Sequence, residues 1–214
     1  MSDNIVKAPW KLKGSGYILL YRFNKDFIIN NGFVPQQNID DFAGGLGAVM
    51  IVDYKSSNVG PYSEILFIPG KFYVNGKKRS IITKIYVSTQ ASIDSGRANW
   101  AIPKEMANFE FIEKGSRKEL VKIYKEGKCF FEAEFKTGIL PFPVSTFFIP
   151  FPLAQQINSK IYYTNFKGAG IGRFCKVKSI ESVSSDFPEL SSQKPIMAVK
   201  VNPFYITFPE AKVE

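Results

Sequence analysis

Apolar and polar side chains alternate along much of this 214-residue chain, and this period-two pattern constrains the fold more than any other feature. Such alternation is typical of β-strands with one buried face, whereas amphipathic helices repeat every 3.6 residues. Runs rich in β-branched and aromatic residues predict ten strands: Gly16–Phe23, Leu46–Tyr54, Tyr62–Ile68, Ser80–Thr89, Phe109–Glu113, Glu119–Tyr124, Cys129–Phe135, Lys160–Phe166, Arg173–Val183 and Ile196–Phe208. We therefore expect a mostly β fold.

Turn residues between these runs indicate antiparallel pairing. Asn75-Gly76 is a strong hairpin signal and Glu126-Gly127 a weaker one, because the central residues of a type I′ turn need positive φ. No repeat, low-complexity tract or linker divides the chain, so we interpret residues 1–214 as a single domain. The 20 phenylalanines predict a barrel, cone or sandwich with an aromatic interior that either packs solid or holds a ligand.

Two segments interrupt the strand pattern. Ala91–Ala107 reads as a short helical insertion that Ser92 caps and Pro103 interrupts. Leu140–Leu153 carries four prolines, which are excluded from central strands. We interpret it as a rigid apolar loop suited to cover a pocket or another subunit.

The absence of histidine excludes many reaction types. Serine and cysteine nucleophile systems with a histidine base, most zinc hydrolase sites and imidazole general bases all need this residue. Cys129 and Cys175 are too few for a zinc site or a disulfide framework; we read both as core strand residues, and one bridge between them stays open. We expect no metal and no cofactor, and any acid, base or nucleophile must be Lys, Asp, Glu, Tyr, Ser or Thr.

The net charge of +9 raises the question of an anionic partner. Lys77, Lys78 and Arg79 form the only cationic triplet, and elsewhere lysines alternate with glutamates as on a solvated strand face. We therefore expect no nucleic-acid partner. With no apolar signal over Met1–Trp10 and no run of about 18 apolar residues, we expect a cytoplasmic protein without a membrane span.

Lys104 is the reactive side chain with the most apolar sequence surroundings, in the segment WAIPKEMA. A lysine with an ordinary pKa of about 10.4 is neutral in roughly 1 part in 2,500 at pH 7. A nucleophilic lysine therefore needs a pKa lowered by about 3 units, which an apolar pocket or a nearby cation can supply. The spacing alone favours a surface lysine at a helix end.

Two motifs resemble the acetoacetate decarboxylase family. SGRANWAIPKEMANFEF, at Ser95–Phe111, is similar to its Schiff-base lysine segment, which reads approximately Gly-Arg-Glu, a few residues, then Pro-Lys-Lys. GPYSE, at Gly60–Glu64, is similar to the motif that ends in a pocket glutamate, and the N-terminal pattern Pro9–Phe23 agrees with it. Glu105 stands where the family's decarboxylases carry a second lysine, and the family's N-terminal arginine has no clear match.

The resemblance implies a cone-like antiparallel β fold with an apolar cavity, assembled into a homo-oligomer. It implies that Lys104 forms an imine with a keto acid or related ketone and that Glu64 is the pocket carboxylate, within direct or one-water reach of it. Arg97 matches the arginine of the motif, and Tyr62 and Trp100 are candidate substrate contacts. Read without the resemblance, Arg97 holds the insertion through Asp94 or a carbonyl, Glu64 is solvated or caps a strand, and the two aromatic residues pack.

Two functions remain as hypotheses at this point. The first is a Schiff-base-forming, decarboxylase-like lyase, and the second is a non-catalytic binder of an apolar small molecule in the same Phe-rich cavity. The reactivity of Lys104 toward carbonyl compounds separates them. A purely structural oligomer leaves both motifs unexplained.

Overall fold

The computed structural model describes residues 5–148 and 151–214, and most of them lie in strands. Two α-helices, α1 (Lys25–Asn31) and α2 (Gln90–Trp100), and a 3-10 turn at Gln36–Asn38 are found there. The strands are β1 (Trp10–Tyr21), β2 (Phe42–Gly44), β3 (Gly47–Ser56), β4 (Tyr62–Ile68), β5 (Lys71–Val74), β6 (Lys77–Ser80), β7 (Lys84–Val87), β8 (Lys104–Met106), β9 (Asn108–Glu113), β10 (Lys118–Lys125), β11 (Lys128–Ser145), β12 (Leu153–Ile157), β13 (Lys160–Thr164), β14 (Lys167–Ser182), β15 (Met197–Phe208) and β16 (Lys212–Val213). The mostly β prediction is confirmed.

A ten-stranded sheet forms the body of the fold, in the order β8-β7-β4-β3-β1-β15-β14-β11-β10-β9. Every neighbouring pair is antiparallel except β7 and β8. The two edge strands, β8 and β9, follow one another in the chain with Ala107 alone between them. The edges therefore meet, and the sheet nearly closes into the barrel-like form that the sequence predicts.

A smaller six-stranded sheet runs β16-β13-β12-β6-β5-β2. Its β5–β6 hairpin turns at Asn75-Gly76, where both residues have positive φ (48° and 72°) as the sequence predicts. Glu126 and Gly127 likewise form a positive-φ turn, between β10 and β11. Both hairpin predictions are confirmed.

The two faces of the large sheet carry separate hydrophobic clusters. Neighbouring residues of one strand, such as Leu19 and Leu20 of β1, belong to different clusters because successive side chains point to opposite faces. One cluster contains Tyr17, Phe67, Tyr86 and Phe131. The other contains both tryptophans and surrounds a cavity.

The interpretation of Leu140–Leu153 as a loop is wrong for its first part. Strand β11 continues to Ser145, and Pro141 and Pro143 pair in register with Arg173 and Ile171 of β14. On the other side, β10 pairs with β11 only as far as Lys136. The proline half of β11 is therefore locally an edge strand, where a missing N–H costs no ladder hydrogen bond. Pro150 lies outside the described residues.

The short helix predicted within Ala91–Ala107 is present and ends before Pro103. Helix α2 ends at Trp100, Ala101 adopts a left-handed conformation (φ 53°), and the chain enters β8 at Lys104. Thr89, not Ser92, is the N-cap, and its side chain accepts a hydrogen bond from the Ser92 N–H. The Ser92 hydroxyl has a different partner, described below.

The cysteines are strand residues, but the prediction that both are packed in the core is wrong. Cys129 is exposed, Cys175 is half-buried, and both are free thiols. A bulge in the β10–β11 pairing leaves Phe130 without an opposite residue. The bulge shifts the register of side chains along β11, and Cys129 falls on the exposed side.

Candidate active site

Lys104 is a buried lysine at the beginning of an edge strand, with only 4% of its side chain exposed. Lys104 pairs with Ile85 of β7, and the side chains of both residues border the cavity. Glu105, the next residue, points to the opposite face. There it forms ion pairs with Lys84 (2.6 Å) and Lys125 (3.6 Å). The alternation of the strand therefore separates the two side chains.

Glu64 lies next to Lys104, on the face of the sheet that borders the cavity. Its side chain is 6% exposed, and its Oε2 is 3.0 Å from the Lys104 Nζ, within the reach that the sequence analysis expects. Strand β4 puts Glu64 on the same face as Tyr62, whose ring centre is 5.1 Å from the Lys104 Nζ. A buried ion pair of this kind needs further hydrogen bonds to offset its desolvation.

Two hydroxyl groups provide those hydrogen bonds. The Ser92 Oγ, on α2, accepts from the Lys104 Nζ at 2.9 Å, and the Tyr54 hydroxyl donates to Glu64 Oε1 at 3.2 Å. Ser92 and Tyr54 are both buried. Each charged group of the pair thus has a second polar partner.

Burial keeps the neighbouring phenols protonated. Desolvation, followed by the charge of Glu64, raises the pKa of Tyr54 well above its ordinary value, and the same two causes raise the pKa of Tyr62. Hydrogen bonds from Ser92 and Tyr54 oppose the shift at Tyr62 without cancelling it. Both phenols therefore stay protonated at neutral pH, and that of Tyr54 is the donor to Glu64.

The sequence motif around Lys104 has a direct structural meaning. A Cβ added to Gly96 would lie 2.8 Å from both Cδ and Cε of Lys104, so a larger residue here would push the lysine side chain aside. The Arg97 guanidinium donates to the Lys104 carbonyl oxygen and fixes the backbone of β8. The side chain of Arg97 is exposed and lies outside the apolar cavity.

The cavity next to the Lys104–Glu64 pair has a volume of about 250 Å³. Trp10 and Trp100, in an edge-to-face contact at 4.9 Å, border it together with Tyr62. Much of the remaining lining comes from β11, β14 and β15, including Phe142, Val199, Phe204 and Phe208, and from Phe166 just before β14. The curvature of the sheet therefore brings strands from its two halves around one space.

Sequence reasoning named Lys104, Glu64, Tyr62 and Trp100, and these four residues lie around one cavity. Arg97 stands apart from it. Ser92, Tyr54 and Gly96 were not named as site residues. Gly96 belongs to the Lys104 motif and could have been found there, whereas a serine and a tyrosine at those positions carry no signal of their own.

No group of histidine, cysteine, aspartate or glutamate side chains that could hold a metal ion occurs among residues 5–148 and 151–214. In the same described residues, no helix is long and apolar enough to cross a membrane.

The chain is a β protein in which a buried lysine–glutamate pair borders an apolar cavity, and sequence comparison identifies its family. The model of the acetoacetate decarboxylase (ADC) family matches residues 4–171, and the chain belongs to this family. The comparison with curated proteins finds no significant match.

Solved structures confirm the fold. An acetoacetate decarboxylase structure has a TM-score of 0.69 at 15% identity, covering 98% of this chain and 91% of that chain. Acetoacetate decarboxylase from Legionella pneumophila subsp. pneumophila str. Philadelphia 1 has a TM-score of 0.67 at 13% identity, with coverage of 97% and 88%. The enduracididine biosynthesis enzyme MppR, complexed with pyruvate, has a TM-score of 0.61 at 11% identity, with coverage of 98% and 90%.

Proposed function

We propose that this protein is a Schiff-base-forming lyase, decarboxylase-like, that acts on a keto acid or related ketone through Lys104. The observation that carries the proposal is the position of the Lys104 Nζ, which borders an apolar cavity 3.0 Å from a carboxylate in a chain of the acetoacetate decarboxylase family. Glu64 is the proton carrier in this proposal, and Tyr62 and Trp100 contact the substrate.

Imine formation in this proposal begins with a proton transfer inside the ion pair. The Lys104 ammonium gives one proton to Glu64, and the free amine attacks the carbonyl carbon of the substrate, whose π electrons move to oxygen. Proton transfer from nitrogen to oxygen gives a carbinolamine. Glu64 then protonates its hydroxyl group, water leaves, and a protonated imine remains. General acid–base assistance of this kind contributes about 10²–10⁴-fold in rate.

The protonated imine then acts as an electron sink. When the bond from Cα to a β-substituent breaks, its electron pair flows to the imine nitrogen and forms an enamine instead of an unstabilised carbanion. A β-carboxylate leaves as carbon dioxide. Protonation of the enamine and attack of water on the imine then release the product and restore Lys104.

Reductive trapping tests the proposal. A panel of small β-keto acids and methyl ketones is incubated with the protein near neutral pH, borohydride is added, and the labelled residue is located by mass spectrometry. We expect a reduced adduct on Lys104 and no adduct in Lys104→Arg, since arginine keeps the charge but forms no imine. Lys84→Arg is the matched control: Lys84 is also largely buried and paired with a carboxylate, but it lies outside the cavity. Equal labelling of the wild type and Lys104→Arg would remove the basis of the proposal.

A non-catalytic binder of an apolar small molecule is the second candidate function. The apolar lining of the cavity favours it, because a hydrophobic ligand needs no reaction with Lys104 to bind there. In that case an apolar ligand binds the wild type and Lys104→Arg equally, and borohydride traps nothing.

We also propose that the protein forms a homo-oligomer and works in the cytoplasm. Ile139 and Leu140 support the first part, because these large apolar side chains are 70% and 81% exposed on one chain. Leu140→Glu is expected to lower the mass measured by analytical ultracentrifugation, and a monomeric wild type would contradict the proposal.

A further inference from the structure

The cavity contains two charged side chains, and they neutralise each other. Lys104 and Glu64 form the 3.0 Å ion pair, and the other lining residues of the described chain carry no charge. The side chain of Arg97, the nearest arginine in the sequence, is directed to the Lys104 carbonyl outside the cavity. A carboxylate entering this space would find no unpaired cation.

Few polar atoms of the lining are left to bind a ligand. The indole N–H of Trp10 donates to the Val6 carbonyl at 3.1 Å, and that of Trp100 donates to the Pro209 carbonyl at 2.7 Å. The Tyr54 hydroxyl donates to Glu64, whereas the Ser145 and Thr146 hydroxyls accept from backbone N–H groups and keep their own protons for a ligand. A buried carboxylate would therefore find neutral hydroxyl donors but no charged donor, and neutral donors offset less of the cost of its desolvation.

The shape of the cavity fits a short apolar chain. Its volume of about 250 Å³ exceeds the roughly 150 Å³ of an engineered apolar cavity that binds benzene, so a short alkyl chain fits. Phe148 both borders the cavity and is 74% exposed, so the cavity reaches the surface at this side chain. The wall between the Lys104 pair and Phe148 consists mainly of aliphatic and aromatic side chains.

We propose that the carbonyl compound bound here is uncharged and carries an apolar tail, rather than a carboxylate, along this wall. This inference rests on the proposed function and narrows its substrate class. The charges of the Lys104 and Glu64 side chains sum to zero, so an uncharged ligand keeps the cavity neutral, whereas a carboxylate adds an uncompensated charge.

For an uncharged substrate, the C–C cleavage that an imine allows is aldol cleavage of a β-hydroxy ketone. The hydroxyl group gives its proton to the Glu64 carboxylate, and a carbon–oxygen double bond forms as the Cα–Cβ bond breaks. The electron pair of that bond flows to the imine nitrogen, so an aldehyde leaves and the enamine remains on Lys104. No oxidant, reductant or further reactant is needed.

A pair of methyl ketones of matched size tests the charge preference. 2-Heptanone carries an alkyl tail, and levulinate carries a carboxylate. Binding is followed by quenching of tryptophan fluorescence, because both tryptophans of the sequence border the cavity. Imine formation is followed separately by borohydride trapping. We expect 2-heptanone to reach half-saturation of the quenching at a concentration at least tenfold below that of levulinate.

Moving a cation to the mouth of the cavity should change this preference. Phe148→Arg is expected to improve the binding of levulinate relative to 2-heptanone several-fold, measured as the ratio of their half-saturation concentrations. Because Phe148 is exposed, we expect the substitution to leave the fold intact. Phe147→Arg is the matched control, because Phe147 is adjacent and 85% exposed but does not border the cavity. The control is expected to keep the wild-type ratio.

The two readouts separate the two proposals. If 2-heptanone binds at least tenfold more tightly but neither ketone is trapped, the charge preference stands and the Schiff-base function fails. If both ketones are trapped but levulinate binds as tightly or more tightly, the Schiff-base function stands and the charge preference is overturned. If neither ketone quenches the fluorescence, the charge preference is also overturned.

Discussion

Gly96 of helix α2 lies directly against the side chain of Lys104. The position of a Cβ on Gly96 is 2.8 Å from Cδ and Cε of the lysine and 3.4 Å from its Nζ. The lysine therefore reaches Glu64 and Ser92 through a gap that exists only because residue 96 has no side chain.

Gly96→Ala is expected to displace the Lys104 amine and slow reductive trapping by at least tenfold. A misplacement of about 1 Å at a reacting group can cost roughly 10²-fold, and overpacking costs about 1–3 kcal/mol of stability. The rate of adduct formation and the free energy of unfolding measure the two effects. Ala98→Leu, which adds bulk at an exposed position of the same helix, should leave the trapping rate unchanged. Unaltered trapping in Gly96→Ala would show that this contact does not position the lysine.

Arg97→Met is expected to lower the trapping rate a few-fold without changing the affinity for 2-heptanone. Arg97 holds the Lys104 carbonyl from outside the cavity, so its loss loosens β8 but removes no ligand contact. Stability should fall by about 1 kcal/mol for the lost hydrogen bond. Fluorescence quenching and trapping are compared on the same samples. A parallel loss of affinity would instead assign Arg97 a direct substrate contact.

Glu64→Gln is expected to slow adduct formation by about 10²-fold or more, since the variant keeps a hydrogen-bonding group but cannot carry the proton. The time course of trapping with excess ketone measures this change. Glu105→Gln is the control: this carboxylate is adjacent to Lys104 in the chain but faces Lys84 and Lys125. A rate of Glu64→Gln within a factor of two of the wild-type rate would exclude Glu64 as the proton carrier.

The buried phenols predict a loss of stability at alkaline pH. Desolvation and the charge of Glu64 raise the pKa values of Tyr54 and Tyr62 in the folded state, so the folded protein keeps protons that the unfolded chain releases above about pH 10. Their stabilising effect is complete below pH 10 and falls with rising pH, by about 1.4 kcal/mol per pH unit for each phenol.

Denaturant unfolding at pH 9, 10 and 11 measures this slope. Tyr54→Phe should make the decline above pH 10 shallower by about 1.4 kcal/mol per pH unit. Tyr73→Phe, at a half-exposed ring on β5, should leave the slope unchanged. Identical slopes for Tyr54→Phe and the wild type would mean that Tyr54 ionises equally in both states.

Local patterns were enough to predict most of the strands and both hairpin turns. Alternation within a strand and positive φ at Asn75-Gly76 depend on neighbours in the sequence, so they are visible without the fold. The proline half of β11 was missed because its tolerance of proline depends on where β10 stops pairing. Which distant strands pair is set by the topology and cannot be predicted from local composition.

The sequence predicts those residues of the candidate site that belong to a motif. Lys104 and Glu64 belong to recognisable segments, and their distance of 3.0 Å agrees with the expectation from the sequence. The sequence predicts Ser92 as a helix cap, but Thr89 fills that role, and only the fold shows that Ser92 faces Lys104. The contact of Tyr54 with Glu64 likewise depends on how β3 and β4 pair.

The cavity wall combines two stretches of chain that lie far apart in sequence. The ion pair and its hydroxyl partners come from residues 54–104, and much of the opposite wall comes from residues 142–208. The family model ends at residue 171, so it includes the ion pair but leaves out the wall positions of β15. Substitutions in β15 can therefore change the size and shape of the cavity, and with them its ligand preference. None of these positions contacts the Lys104 amine through a hydrogen bond, so the reactivity of the lysine can be kept. A library randomised in β15 alone is the natural starting point for changing the selectivity of this scaffold.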